Sequence, residues 1–424
     1  MKNGEEMFQL AKELWPIGRS LSGPGVRQTL DIIGRELPEL TRKTFQSGEK
    51  VFDWEVPKEW KVHSATLTGP DGGIICDYDE NNLSLVGYSR PISGEFSLEE
   101  LESHLYSLSD QPDAVPYVTS YYKDNWGFCV SQSVRDQLVP GVYRVEINTA
   151  LQPGVLDYGE VVIRGESERE IFFSTYVCHP SMANNELSGP VLAVALAKFV
   201  RHLSPHYTYR FLFIPETIGS IAYLAHNLAS MKSRMLAGYV LTCVGDERVY
   251  SYVPSRSGTS VADEVALEAF EQLGIPFLSY TWSDRGSDER QYCAPGVDLP
   301  VCSVMRSKYG KYPEYHTSLD QLGTVVTAKG LQETYDYYRR VMRILESQRY
   351  PRVNTLCEPQ LGKRELYPGI SIKGSADAVR PLTDVISELD GLQSMQRIAE
   401  RTGLELSTVQ ELCDLLVEKG LVSQ

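Results

Sequence analysis

Residues 170–203 read EIFFSTYVCHPSMANNELSGPVLAVALAKFVRHL. The stretch opens with an apolar, β-prone run, passes through the polar turn PSMANNELSG, and ends in a segment apolar at nearly every position and long enough for a buried helix. A strand, a turn and a helix in that order form half of a crossover unit. The same texture continues outward. GEVVIRG (159–165) precedes the stretch, and YRFLFIP (209–215), a helix near IGSIAYLAHNL and AGYVLTCVG (237–245) follow it. Apolar strands separated by helices of ten or more residues predict an α/β fold with a doubly wound, mostly parallel sheet. In such sheets functional groups gather where strands end and helices begin. His179, Glu216, Thr242 and the loops after Ser283 are therefore the places to look for chemistry.

The flanking regions have other textures. Two amphipathic helical stretches interrupted by the breaker-rich RSLSGPG occupy the first 40 residues. From Val51 to Gly154 short β-prone runs (HSATLTG, GIICDY, VPYVTSYY, WGFCVS, GVYRVEI) alternate with Gly, Pro, Asn and Asp. We expect residues 1–50 and 155–350 to form the α/β core, 51–154 a small β-rich inserted domain, and 375–424 a separate module after a linker around PRVNTLCEPQLGKRELYPGI. Within that module, QRIAERTGL and STVQELCDLLVEKGLV read as helix, tight turn, Ser/Thr N-cap and second helix of a winged helix, with the terminal GLV starting the wing.

Composition limits the partners. Across 424 residues, 41 basic and 56 acidic side chains leave a net charge of −15, which opposes nucleic acid and anionic membrane surfaces. Residues 377–424 alone carry nine acidic residues against four basic ones. Protein contact or pocket closure is the expected role of the winged helix, since phosphate contacts need a basic face. The polar N-terminus, the lack of a long apolar run, and eight scattered cysteines without a CxxC pair predict an unexported, soluble cytoplasmic protein.

Five stretches carry a resemblance. STYVCHPSMANNELSGP is similar to the first metal motif of the zinc aminopeptidase family that includes the glutaminyl cyclases, with His179 and Ser188-Gly189 matching. Asn185 stands where that family has the aspartate that bridges two zinc ions. RFLFIPETIGSIAYL resembles its E-E-x-G turn. Glu216 aligns with the general base and Thr217 with a zinc-ligating glutamate, while in VLTCVGD the ligating aspartate is replaced by Thr242. YPEYHTSLDQL resembles the terminal Y-H-T-x-x-D motif, making His316 a metal ligand and Asp320 an N-cap partner of the next helix. RGSDERQYCAPG is similar to the segment walling the substrate pocket, with Ser287 and Asp288 matching and Arg285, Glu289, Arg290 and Arg306 adding charge. The combined motifs and the winged helix look like a bacterial group of aminopeptidase-like proteins associated with polysaccharide biosynthesis.

The resemblance implies one zinc ion held by His179 and His316 with Asn185, and Glu186 as the alternative carboxylate. It implies hydrolysis of an amide or peptide bond in a small substrate, with Glu216 moving the proton. Asp288, Arg285 and Arg306 would line the substrate pocket. The bland readings stand beside these. Glu216 also suits a helix N-terminus. Cys178, next to His179 on a strand, should face the other way and be buried. The missing carboxylates also fit a non-catalytic binding or regulatory protein that keeps the peptidase pocket.

Overall fold

The computed structural model describes residues 2–366 and 379–423. The chain divides into two units, Met1–Arg339 and Arg340–Gln424.

In the first unit, α1 (Lys2–Leu14) buries Met7, Leu10, Ala11 and Leu14 along one stripe. Pro24 fixes the start of α2 (Pro24–Glu36), whose Val26, Leu30 and Ile33 are buried. Strand β1 (Thr41–Gln46) then joins the edge of the main sheet. The chain next leaves that sheet. Strands β2 (Glu59–Thr68), β3 (Ile74–Asp77), β4 (Ile92–Ser97) and β5 (Val142–Gln152) form a separate antiparallel sheet of order β3-β2-β5-β4. This region has its own sheet but no isolated core. Its Trp60, Leu67, Leu101, Trp126 and Val145 belong to one buried cluster with Phe172, Tyr176, Leu212 and Ile218. The expected strand over VPYVTSYY does not form. The segment makes only single bridges, Pro116 to Thr317 and Thr119 to Gly87, because Tyr117 and Tyr121 turn inward and its backbone docks on a neighbouring loop.

The chain then re-enters the main sheet through β6 (Val155–Ile163) and β7 (Ser167–Tyr176), followed by α3 (Ser188–Arg201), β8 (Tyr207–Ile214), α4 (Ile218–Arg234) and β9 (Met235–Val240). After these come β10 (Tyr250–Val253), α5 (Val261–Leu273), β11 (Phe277–Ser279), β12 (Val301–Met305) and α6 (Ala328–Ser347). The eight strands run in the order β1-β6-β8-β7-β9-β12-β10-β11. The centre is parallel (β8, β7, β9, β12), β1 pairs antiparallel with β6, β6 with β8 and β10 with β12, and β10 and the edge strand β11 are parallel. Ile171 to Tyr176 are all buried, as expected of a central strand covered on both faces. The C-terminal ends of β7, β8 and β9 share one edge, so residues 177–187, 215–217 and 241–246 are brought together. Gly189 lets α3 approach that edge. A Cβ there would lie 2.3 Å from both Leu241 O and Thr175 Oγ1, which explains why the turn closes with Ser-Gly.

In the second unit, β13 (Arg352–Val353) pairs antiparallel with β14 (Val422–Ser423) around α7 (Arg380–Glu388), α8 (Met395–Thr402) and α9 (Leu406–Glu418). Leu361, Leu382, Val385, Ile398, Val409, Cys413 and Leu416 form its core. Two local expectations are corrected. The supposed linker already contributes β13 and Leu361, because the final strand needs a pairing partner. The serine that caps a helix is Ser394, which accepts from Arg397 N ahead of α8. Ser407 and Thr408 lie inside α9, whose N-cap is Glu405. Residues 367–378, where the linker was expected to end and the module to begin, lie outside the described residues. Among the described residues no helix is long and apolar enough to cross a membrane.

Candidate metal and catalytic site

His179 lies three residues beyond β7 and is 4% exposed. Its Nδ1 shares a 2.9 Å hydrogen bond with Glu186 Oε2. Its carbonyl accepts from Arg19 Nε at 2.9 Å, and the same Nε is 3.4 Å from Glu186 Oε1. The imidazole is therefore held from behind, leaving Nε2 forward, 3.5 Å from Glu216 Oε2. His316 comes from the loop before α6 and has a left-handed backbone (φ 56°), which histidine tolerates better than most residues. The two imidazole centroids are 5.6 Å apart. The Nε2 of His316 is buried without a hydrogen-bond partner among the described residues. Burial lowers both histidines to about 3, with Arg19 adding to the effect at His179 and His179 adding to it at His316. Both are neutral at pH 7, the form that binds a metal.

The inserted region reaches directly into this pair. Tyr117 stands edge-on to both rings, 5.3 Å from His179 and 5.2 Å from His316. Its N–H donates to the His316 carbonyl at 2.8 Å, and its hydroxyl is 2.7 Å from that of Tyr121. Tyr315 stacks on His316 at 3.9 Å.

The turn Ala183–Leu187 is π-helical and entirely buried. Asp320 holds it, accepting from Asn184 N at 2.8 Å and Asn185 N at 2.9 Å. Asp320 therefore caps this turn rather than the start of α6, because the turn offers two buried N–H groups with no internal acceptor. Asn185 Oδ1 accepts from the Tyr176 hydroxyl at 3.3 Å, and its Nδ2 has no partner among the described residues. Thr242 bonds the Tyr176 hydroxyl and the Asn185 carbonyl. Neutral, mutually bonded groups thus occupy the place where a second metal would need carboxylates.

Glu216 is the more open member, its side chain 20% exposed. Burial first, and then Asp288, raise it to about 8. Thr217 beside it makes a tight three-residue turn (φ 64°, ψ −79°) closed by Ile218 N to Glu216 O at 2.8 Å, a rare and strained conformation for a β-branched residue. Asp288 accepts from Thr217 N at 2.8 Å and Ser220 Oγ at 2.9 Å, and Arg290 Nη2 donates to Thr217 Oγ1 at 2.6 Å.

Not every expected residue arrives. Arg285 is exposed and lies over the Trp282 ring at 4.8 Å. Arg306 is buried, but it pairs with Glu333 at 2.9 Å and sits over Tyr250 at 4.2 Å. Each cation is engaged by an aromatic ring, and Arg306 also by a carboxylate. Cys178 is buried as expected, but it does not face away. Its Sγ is 3.5 Å from His179 Nδ1 and accepts from Glu216 N, because the chain has left β7 and strand alternation no longer applies. Arg19, Tyr117 and Tyr176 carried no sequence signal, since their contacts come from distant segments or from aromatic residues with no motif. A separate groove of about 610 Å³ between α1 and α3, lined by Leu10, Val194, Phe199 and Tyr335, shares no residue with this site.

A cation suits these residues. Two neutral imidazoles, one with an orphaned Nε2, stand near a carboxylate, and Glu186 supports His179 in the way outer carboxylates orient metal-binding histidines. Among the described residues Asn185 and Thr242 bring no bridging carboxylate to this place, so the donor set suits one ion.

The sequence matches a domain of unknown function (DUF4910) over residues 8–348 and a winged helix-turn-helix over residues 348–424. A Clostridium acetobutylicum protein described as a polysaccharide biosynthesis protein with an aminopeptidase-like domain is 41% identical over 427 residues, 99% of this chain and 96% of that protein. A solved Clostridium acetobutylicum structure described as a peptidase is 40% identical, with a TM-score of 0.81 over 100% of this chain and 96% of that one. BSAP, a zinc aminopeptidase from Bacillus subtilis, is 12% identical and superposes with a TM-score of 0.60 over 81% of this chain and 94% of its own. That likeness shows an aminopeptidase-like fold.

Proposed function

The chain belongs to the DUF4910 family with a C-terminal winged helix, and from that premise we propose that it is a zinc-dependent hydrolase of an amide or peptide bond, using one ion and a small substrate. The observation that carries this reading is the placement of His179 and His316, 5.6 Å apart, with Glu216 on the forward face of His179. His179 and His316 would hold the ion through Nε2. Asn185 would add a weak amide oxygen, exposed by turning its amide so that the unpartnered side becomes an acceptor. Bound there, zinc supplies a Lewis acid for the scissile carbonyl and lowers the pKa of water. The charge of a bound cation would favour the ionised form of Glu216 against the burial that raises it, and in that form Glu216 takes the proton from the attacking water and delivers it to the leaving nitrogen. Glu186 fixes the ring of His179, and Tyr117 shields the pair from bulk water.

The Clostridium relative's description supports polysaccharide biosynthesis as the setting. A cytoplasmic location is part of the proposal, supported by eight free cysteines, seven of them buried. The winged helix serves protein contact in this reading, supported by its acidic charge. Asn185, Thr217 and Thr242, each standing where a carboxylate was expected, favour the second reading, a binding protein without chemistry. Incubation of the zinc-supplemented chain with a panel of aminoacyl amides tests the choice. Release of amine that Glu216→Gln abolishes supports the hydrolase, and no turnover with any amide supports the binding protein.

A further inference from the structure

We propose that the substrate carries an anionic group, a carboxylate or phosphate, and that Arg290 is the side chain that takes it. This deepens the hydrolase reading and rests on it. Arg290 is half-buried in the short helical turn Glu289–Tyr292. Its Nη2 is tied to Thr217 Oγ1 at 2.6 Å, one residue from Glu216. Its charge acts on Glu216 and on Tyr315, the ring stacked on His316. Through Thr217 and Glu216, whose Oε2 is 3.5 Å from His179 Nε2, the guanidinium flanks the histidine pair.

What it lacks is a carboxylate in ion-pair contact, since Glu216 and Asp288 feel its charge only from a distance. Among the described residues Arg19, Arg210 and Arg306, all of low exposure, each have a carboxylate within 3.4 Å. Lys308 is buried without an ion pair but lies 4.2 Å over the Tyr309 ring. Arg290 has no such ion pair or ring, and its Nε is buried without a hydrogen-bond partner. Three of the four oxygens of the neighbouring acids Asp288 and Glu289 are occupied with other donors. Asp288 Oδ1 holds Thr217 and Ser220, and Glu289 accepts from Gly286, Ser287, Tyr309 and Ser303. Ser287 Oγ and Asp288 Oδ2 are also unpartnered, so residues 287–290 keep both donor and acceptor capacity unused. A buried donor left without a partner, as Arg290 Nε is, is costly until an acceptor completes it. Its planar fork matches carboxylate and phosphate oxygens.

The test is a binding titration by ligand-observed NMR on the full chain freed of metal, using N-acetylalanine, N-acetylalaninamide and inorganic phosphate. At least one of the two charged probes should bind about tenfold or more tightly than the neutral amide, and Arg290→Met should weaken that probe roughly ten- to a hundredfold. Arg290→Lys, which keeps a charge, should retain part of the preference, and thermal melts of both variants check folding. Preference for N-acetylalanine assigns a carboxylate, and preference for phosphate assigns a phosphoryl group. Charged probes that bind no better than the neutral one, or not at all, overturn the proposal, as does a preference that survives in Arg290→Met. Because no metal is present, the result stands whether or not zinc binds. Zinc-dependent hydrolysis of neutral amides that Arg290→Met leaves unchanged would overturn this proposal alone.

Discussion

Glu186 and Asn185 are sequence neighbours, yet the structure gives them different work. Glu186 stands behind His179 at 2.9 Å, while Asn185 contacts Tyr176 and has an unused amide nitrogen. Replacing Asn185 by Asp adds a negative charge close to the ion, where an amide offers only a dipole. Asn185→Asp should bind zinc about tenfold or more tightly in a competitive titration, and adding His316→Ala should abolish the gain. Protonation gives a second expectation. Burial raises Glu186 and Glu216 from 4.5 to about 8, against Arg19 in the first case and helped by Asp288 in the second. The folded, metal-free chain keeps protons that the unfolded chain releases above 4.5, so their stabilising contribution is lost as pH rises through about 8. His179 acts oppositely: lowered from 6.5 to about 3, it costs stability as pH falls below 6.5. Thermal melts with chelator should show the midpoint falling between roughly pH 6 and pH 9, and Glu186→Gln should flatten that fall. A midpoint unchanged over that range would contradict the buried, protonated carboxylates.

Among the elements, the buried turn Ala183–Leu187 depends on a single acceptor. Asp320 satisfies two of its N–H groups and also accepts from Tyr312 at 3.0 Å. Asp320→Ala should destabilise the first unit by about 2–5 kcal/mol in chemical denaturation, the cost of leaving two buried donors unpaired. Asp320→Asn, which keeps one acceptor oxygen, should cost less. A loss below about 1 kcal/mol for Asp320→Ala would show that other groups satisfy the turn. This role was not legible in the sequence, because Asp320 and Asn185 are 135 residues apart. Spacing did identify the α/β alternation, whereas the two histidines were singled out by motifs that resemble a known family. It could not show that Arg306 is bound by Glu333 or that Arg285 lies on Trp282. A cation's partner is chosen by packing in three dimensions, and local pattern does not encode it. The strand expected at VPYVTSYY failed for a related reason: Tyr117 pairs with His316 instead of with a strand.

At the scale of the molecule, the net charge of −15 and the nine acidic against four basic residues of 377–424 argue against nucleic acid. The full chain should give no shift of duplex DNA in a gel assay at about 50 mM salt, where phosphate contacts are strongest. A shift that weakens steeply with salt would overturn the protein-contact reading of the winged helix. The central claim concerns the first unit, where one aminopeptidase-like sheet edge gathers His179, Glu186 and Glu216 and His316 joins them from the loop before α6. Elemental analysis of the full chain purified without chelator tests it most directly. The account predicts about one equivalent of zinc, as the single-ion donor set requires, and its loss in both His179→Ala and His316→Ala. A folded wild-type chain that carries no zinc, or zinc retained in both variants, would contradict it.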